Sequence, residues 1–220
     1  MTAELVKHYL VNIITPSLLT TLHILFWEVV FTSIAGFILG TVLYATAADG
    51  LFPHPKFNLI LGAFINVIRS IPVLIFMILM IPVVRAVVGT AIGEKAAIFN
   101  LSIACTPYMG RVIEGKLKLI DKKLIEAGQS MGLSNMQVLT RIVIHESIPS
   151  IVIGITFAAI VFIGGISMAG LIGAGGIGAI ALSYGYQQYN DVVMYGCILI
   201  LAALVCILQT IGRGLYHKLK

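Results

Sequence analysis

Charged residues are scarce in this sequence. Asp, Glu, Lys and Arg make up 10% of its 220 residues, whereas 59% are hydrophobic. Soluble globular domains carry about 25% charged residues. The formal net charge of +5 rests on so few cations that it does not indicate nucleic-acid binding. The composition therefore predicts an integral membrane protein.

The sequence also has few cysteines and no P-loop string. The three cysteines, Cys105, Cys197 and Cys206, lie in apolar runs without metal-ligand spacing, so we expect small buried hydrophobic residues. The string G-x-x-x-x-G-K-[ST] is absent, which excludes ATP hydrolysis by this chain in the usual way. We predict no catalytic residue, no metal and no cofactor.

One glycine-rich stretch imitates a dinucleotide site. Residues 173–178 read GAGGIG and match G-x-G-x-x-G, but no β pattern precedes them. A protease centred on Ser167 is equally unsupported, because no later apolar run contains a histidine. The small residues here instead favour close helix approach and a turn at the end of a span.

Five apolar runs predict an all-α membrane protein with five transmembrane helices. The transmembrane domain would cover residues 17–211, between an extracytoplasmic N-terminus (1–16) and a cytoplasmic tail (212–220). The third run is apolar only over residues 96–110, about 22 Å of helix, so its helix must extend beyond them. The predicted spans are 18–48, 57–84, 94–113, 148–172 and 190–211.

The distribution of Lys and Arg predicts the orientation. One side of the five-span arrangement holds Lys7, Arg85 and Lys95. The other side holds Lys56, Arg111, Lys116, Lys118, Lys122, Lys123, Arg141, Arg213, Lys218 and Lys220. Basic residues accumulate in cytoplasmic loops. This pattern places the C-terminus and the polar loop 116–149 in the cytoplasm.

Three ionisable residues lie inside the first two runs. His23 and Glu28 belong to the first, and Arg69 to the second, just before Pro72, where we expect a kink. A structural Arg69 would pair with a carbonyl or with Glu28. If Glu28 and Arg69 instead formed an ion site, the chain would be an ion-coupled transporter or a channel.

The loop 116–149 carries most of the readable helix signals. Gly132 can end a short helix in the left-handed conformation. Ser134 can cap a second helix, with Gln137 completing a capping box. We expect Pro149 to mark the end of that second helix.

Two interpretations of this loop follow from physics alone. The second helix has an apolar stripe formed by Met136, Leu139 and Val143. Such an edge can dock into a groove of another protein. It can also lie on lipid headgroups as an interfacial helix.

The spacing of Glu126, Ala127, Gly132 and Ile142 resembles the EAA loop of ATP-binding-cassette importer permeases. In that family the short coupling helix of the loop sits in a cleft of a cytoplasmic ATPase. This chain departs from the pattern at Gly128, usually alanine, and at His145, usually proline.

The resemblance implies a set of ATPase-coupling residues. Glu126 is expected near the start of the coupling helix, and Ala127 at the closest contact. The whole set is Glu126, Ala127, Gly128, Met131 and Gly132.

Further strings resemble the methionine-importer branch of these permeases, with the type I importer fold. They are Arg69-Ser70-Ile71-Pro72, the segment SMAGLIGAGGIG from Ser167, and Tyr184-Gly185-Tyr186. The resemblance runs from about Thr20 to Ile211.

That branch implies an ATP-driven importer of methionine, in the L form or in both forms, in the bacterial plasma membrane. Two copies of the permease would pair with two ATPase subunits and with an extracytoplasmic binding protein or lipoprotein. The candidate translocation-path residues are Asn66, Arg69, Ser70, Tyr108, Ser167 and Met168.

Overall fold

The structure is a computed structural model that describes residues 9–219, with Leu10 described by its backbone alone. The first eight positions of the predicted extracytoplasmic N-terminus, and Lys220 of the predicted tail, lie outside the described residues.

Within residues 9–219 the chain is helical and contains no β-strand, which confirms the all-α fold. Short turns and loops connect the helices. In chain order they are α1 (Val11–Thr46), α2 (Pro55–Ser70), α3 (Val73–Leu79), α4 (Ile81–Val88), α5 (Glu94–Leu117), α6 (Lys122–Ser130), α7 (Asn135–Ile172), α8 (Ile177–Tyr186) and α9 (Asp191–Leu219).

Three of these helices, α1, α7 and α9, are long and apolar enough to cross a membrane. The pair α2 and α3 would make a fourth span, although it is bent by 100° at its break. Helix α5 begins at Glu94 and continues past Arg111 to Leu117, as the length argument required. Charged residues at both of its ends lower its mean hydropathy, and the count of five spans stays a prediction.

The described residues form two compact units. The first unit contains the residues up to Phe31, Pro72–Ala104 and Ala159–Gln209. The second contains Thr32–Ile71, Cys105–Ala158 and the residues from Thr210 onward. Four helices, α1, α5, α7 and α9, each contribute one stretch to either unit.

Small residues allow helices to approach closely in the second unit. Gly36 and Gly40, one turn apart on α1, face Met109 and Gly110 of α5. A Cβ at Gly40 would lie 2.5 Å from the carbonyl oxygen of Gly110. Backbone cannot move aside as a flexible side chain can, so this crossing requires glycine.

The glycine-rich stretch of the first unit forms the expected turn, with positive φ at Gly173, Gly175 and Gly176. The short helix α8 follows and was not predicted. The backbone N–H of Ile177 donates to the Thr21 hydroxyl at 2.9 Å, and Ile177 packs with Val193 and Cys197. A Cβ on Gly178 would strike Ser167, so the small residues do permit close packing.

The proline break occurs where it was predicted. Ile71 is extended, with φ −80° and ψ 125°, because the following Pro72 disfavours helical backbone at the residue before it. The prediction that all three cysteines are buried was wrong. Cys197 is buried, but Cys105 is half-buried and Cys206 is exposed. An apolar side chain of a membrane protein can face lipid as readily as a core.

Candidate functional site

Helix α6 begins four residues before Glu126. The Asp121 carboxylate accepts a hydrogen bond from the backbone N–H of Lys123 at 2.9 Å and so caps the helix. The expectation that Glu126 lies near the helix start was therefore wrong. Glu126 is exposed in the middle of α6 and gains little from the helix dipole, which acts mainly in the first turn.

The end of α6 is a Schellman turn centred on Gly132, which confirms the prediction of a left-handed glycine. Gly132 has a φ of 82°. Its N–H donates to the Gln129 carbonyl at 2.9 Å, and the N–H of Leu133 donates to the Gly128 carbonyl at 3.1 Å. A Cβ at Gly132 would meet no atom within 4 Å, so backbone conformation, not space, requires glycine.

The predicted capping box is also present. The Ser134 Oγ accepts from the Gln137 N–H at 3.3 Å, and the Gln137 Oε1 accepts from the Ser134 N–H at 2.9 Å. Pro149, however, does not end this helix. It lies inside α7, which runs without interruption from the capping box to Ile172. A proline removes one donor and can be carried within a helix whose other bonds persist.

Gly128 provides the contact between α6 and α7. It is buried, and a Cβ built on it would lie 2.5 Å from Ile142 Cδ1 and 3.5 Å from side-chain atoms of Leu133 and Val138. The missing methyl group thus leaves space that Ile142 fills. This is a physical reason for glycine where the resembling family usually has alanine.

Two of the predicted coupling residues, and two apolar residues near them in sequence, are exposed. Ala127 is exposed, and Met131 is 75% exposed. Leu124, one turn before Ala127, and Met136, just after the capping box, are also exposed. We call Leu124, Ala127, Met131 and Met136 the coupling surface. The apolar stripe predicted for α7 is only partly exposed, because Met136 lies on the surface whereas Leu139 and Val143 are buried.

Two contacts hold the loop to the segment between α1 and α2. The Asn135 amide donates to the Leu51 carbonyl at 2.8 Å, and the Lys122 ammonium lies 3.0 Å from the Asp49 carboxylate. The hydrogen bond from Lys122 lowers the pKa of Asp49. The carboxylate therefore keeps its charge at neutral pH, and the contact is lost only as the pH falls through the lowered pKa. A cleft of about 380 Å³ lies beside these contacts.

Arg111, paired with a buried carboxylate, links α5 to α2 within the second unit. Glu114 is 5% exposed and lies 2.7 Å from both Arg111 and Lys118. Arg111 also donates to the Gly62 carbonyl at 3.2 Å and to the Asn66 amide oxygen at 3.4 Å. Sequence reasoning missed this network, although charges of opposite sign three and four residues apart on a helix were a readable signal.

Four predicted path residues lie together on α2 and α5. Asn66, Arg69 and Ser70 are exposed on one face of α2, near its end. The Arg69 guanidinium lies over the Tyr108 ring, 5.8 Å from its centroid. Arg69 was expected to pair with a carbonyl or with Glu28, and the structure gives it this aromatic contact instead.

The other two path residues belong to the first unit. Ser167 donates to the Ile163 carbonyl at 2.9 Å and packs against Gly178, whereas Met168 is 44% exposed. In the same unit His23 lies 2.9 Å from Glu94. Glu28 is fully buried.

Comparison with known proteins shows which family this chain is similar to. Residues 33–220 match the family described as the binding-protein-dependent transport system inner membrane component. The chain is 37% identical to the "Probable D-methionine transport system permease protein MetI" of Vibrio cholerae serotype O1, over 83% of this chain and 81% of the relative. It is also 37% identical to the methionine import system permease protein MetP of Bacillus subtilis, over 78% and 77%.

Two solved structures share the fold of this chain. A chain of the MetNI methionine ABC transporter, described as inward facing, superposes with a TM-score of 0.93 at 32% identity, covering 100% of both chains. A chain of an amino acid ABC transporter superposes with a TM-score of 0.73 at 19% identity over 99% and 97%, which shows the shared fold alone.

The helical fold, its apolar surface and these likenesses define a multi-pass membrane permease. The chain belongs to the family of inner membrane components of binding-protein-dependent transport systems.

The two glycines of the loop should respond differently to a methyl group. Gly132→Ala places a Cβ at positive φ, which costs about 1 kcal/mol, so hydrogen exchange at Leu133 should become about fivefold faster. In Gly128→Ala the new methyl group is too close only to the flexible tip of Ile142, its contacts with Leu133 and Val138 being of ordinary length, and the helix gains propensity, so the exchange rate should change little. Exchange measured by mass spectrometry on the purified permease tests this contrast. Equal acceleration in both variants would contradict it.

Proposed function

We propose that this chain is the permease subunit of an ATP-driven methionine importer. Two copies form the translocation path, two cytoplasmic ATPase subunits bind them, and an extracytoplasmic binding protein delivers the amino acid. The chain itself is non-catalytic, and ATP hydrolysis belongs to its partners. The names of the relatives that match most of the chain support this proposal.

The observation that carries the coupling role is the construction of the loop 116–149. The coupling surface is exposed and apolar, yet the turn beneath it is fixed by the Schellman bonds at Gly132 and by the capping box at Ser134. A fixed apolar surface suits docking into a groove, because little conformational entropy is lost on binding.

The attachment of this surface to α7 gives it a mechanical consequence. The helix begins at the capping box and continues through 38 residues, about 57 Å, into the membrane. Movement of an ATPase that holds the coupling surface therefore displaces a membrane helix directly. The ATPase must bind one state of the permease better than the other for ATP to drive the change.

The alternative of an ion-coupled transporter using Glu28 and Arg69 is not favoured. The relatives named above are methionine transport permeases, and a chain of a methionine ABC transporter superposes over the whole length of this chain. The path residues that we propose are Asn66, Arg69, Ser70 and Tyr108 in the second unit, and Ser167 and Met168 in the first.

The orientation belongs to the same proposal, with the C-terminus in the cytoplasm and the N-terminus outside. A fluorescent protein that matures only in the cytoplasm should give signal when it is fused after Lys220. The same protein fused before Met1 should give none. The opposite pair of results would reverse the orientation and place the coupling surface on the wrong side of the membrane.

Substitution of Ala127 tests the coupling surface. Ala127→Trp should reduce capture of the ATPase by about tenfold or more, because a bulky ring at the centre of a close contact overpacks it. Val87→Trp, on exposed α4, serves as the matched control and should capture the ATPase normally. Both are compared with the wild type by pull-down at equal membrane abundance.

The lipid-lying interpretation predicts a different outcome for the same variant. Tryptophan is favoured at membrane interfaces, so the substitution would be tolerated. Undiminished ATPase capture by Ala127→Trp, together with normal ATP-driven uptake, would remove the coupling role from this loop.

A further inference from the structure

Arg69 lies at the break between α2 and α3, the bent pair that would make a fourth span. It is in the last turn of α2, and the chain bends by 100° between α2 and α3. Cations inside membrane segments almost always face a partner, a bundle interior or a water-filled cavity rather than lipid. Broken helices at membrane depth are tolerated where they are buried in protein or line such a cavity. The exposed side of Arg69 is therefore expected to face a polar space.

The hydrogen-bonding groups of Arg69 remain available. The Tyr108 ring covers a face of the guanidinium, at 5.8 Å, whereas the N–H donors point outward in its plane. Among the described residues, Arg69 has no ion-pair or hydrogen-bond partner. An unpaired charge in a low-dielectric site is costly, so a partner from outside these residues is expected.

Arg111, the other arginine in this part of the second unit, shows what a structural cation looks like here. It lies 2.7 Å from the Glu114 carboxylate and also donates to Gly62 and Asn66. Both oxygens of Glu114 are engaged, one by Arg111 and one by Lys118. Glu114 is therefore not available to neutralise Arg69.

A second copy of the chain offers few carboxylates to fill this role. Among the described residues, Glu28 lies inside the first predicted span and is buried. Glu114, just after the third span, is buried and already paired, and Glu146 lies before the fourth span, on its predicted cytoplasmic side. Glu94 lies at the first residue of α5 and is bound to His23 and Thr20. We therefore expect a carboxylate that reaches Arg69 to come from another molecule.

The guanidinium selects the chemistry of that molecule. Its planar fork binds a carboxylate through two parallel charge-assisted hydrogen bonds. Ser70, on the same exposed face of α2, donates its hydroxyl proton to the Asn66 carbonyl at 2.8 Å and keeps its lone pairs. Those lone pairs can accept from an ammonium group. The face therefore offers both a donor and an acceptor to a zwitterionic amino acid.

We propose that Arg69 binds the α-carboxylate of the amino acid during its passage, with Tyr108 fixing the guanidinium plane. This inference rests on the proposed importer function and adds a substrate-recognising residue within the permease. The bond is used transiently, because a site on a transport path must release its ligand.

Arginine labelling tests the contact directly. The complex of permease and ATPase in lipid nanodiscs is treated with phenylglyoxal, and labelling of Arg69 and Arg85 is measured in the same sample by mass spectrometry. L-methionine at about twice its dissociation constant should slow Arg69 labelling about threefold. The amine 3-(methylthio)propylamine, which lacks the carboxylate, should give no protection. Arg85, exposed on α4, should be unaffected by either compound.

Three labelling results would overturn the inference. They are no protection of Arg69 by methionine, equal protection by the amine, and protection that depends only on anionic lipid. The last result would assign the contact to a lipid phosphate instead.

Uptake assays distinguish a role of Arg69 in substrate recognition from a purely structural role. In proteoliposomes with the ATPase and the binding protein, Arg69→Gln should lower methionine uptake about tenfold or more, and Arg69→Lys should lower it less. ATPase capture should stay at the wild-type level in both variants, and Arg85→Gln should transport normally. Wild-type uptake of methionine with normal uptake by Arg69→Gln would overturn this inference alone. No ATP-driven uptake by the wild type would overturn the proposed function as well.

Discussion

The structure depends on one constraint, that polar groups in hydrocarbon must find partners within the protein. The all-helical fold meets it for the backbone. Hydrocarbon also limits packing, because lipid supplies no hydrophobic driving force between helices. Gly36 and Gly40 of α1 therefore matter, since they let α1 and α5 approach closely. Glu114 meets the constraint on polar groups for charge, because two cations surround its buried carboxylate. Arg69, at the break between α2 and α3, has neither an ion-pair nor a hydrogen-bond partner among the described residues, and for that reason we assign it a ligand.

The same constraint explains the design of the coupling loop. Outside hydrocarbon the backbone can turn sharply, but a surface that transmits force must not yield. Here the turn at Gly132 is closed by its own backbone bonds, and the contact of Gly128 with Ile142 fixes α6 against α7. Rigidity is concentrated where two helices meet, and exposed apolar side chains are left at the surface for a partner.

Local rules predicted the features that depend on a few adjacent residues. The left-handed Gly132, the capping box at Ser134 and the break at Pro72 were all predicted, because each follows from the chemistry of a few neighbouring residues. Features that depend on distant partners were missed. The hydrogen bonds from Asn135 to Leu51 and from Ile177 of α8 to Thr21 join residues far apart in sequence. Pro149 misled because a proline signals a helix end only when neighbouring packing does not sustain the helix.

The central claim is that ATP, acting through the coupling surface, drives transport. The most direct measurement is methionine uptake by proteoliposomes that contain the permease, its ATPase and the binding protein, with ATP inside or outside and with or without a protonophore. The account predicts uptake that requires ATP on the cytoplasmic side of the permease and persists when the protonophore collapses the proton gradient. Uptake that proceeds without ATP, or that the protonophore abolishes while ATP is present, would contradict it.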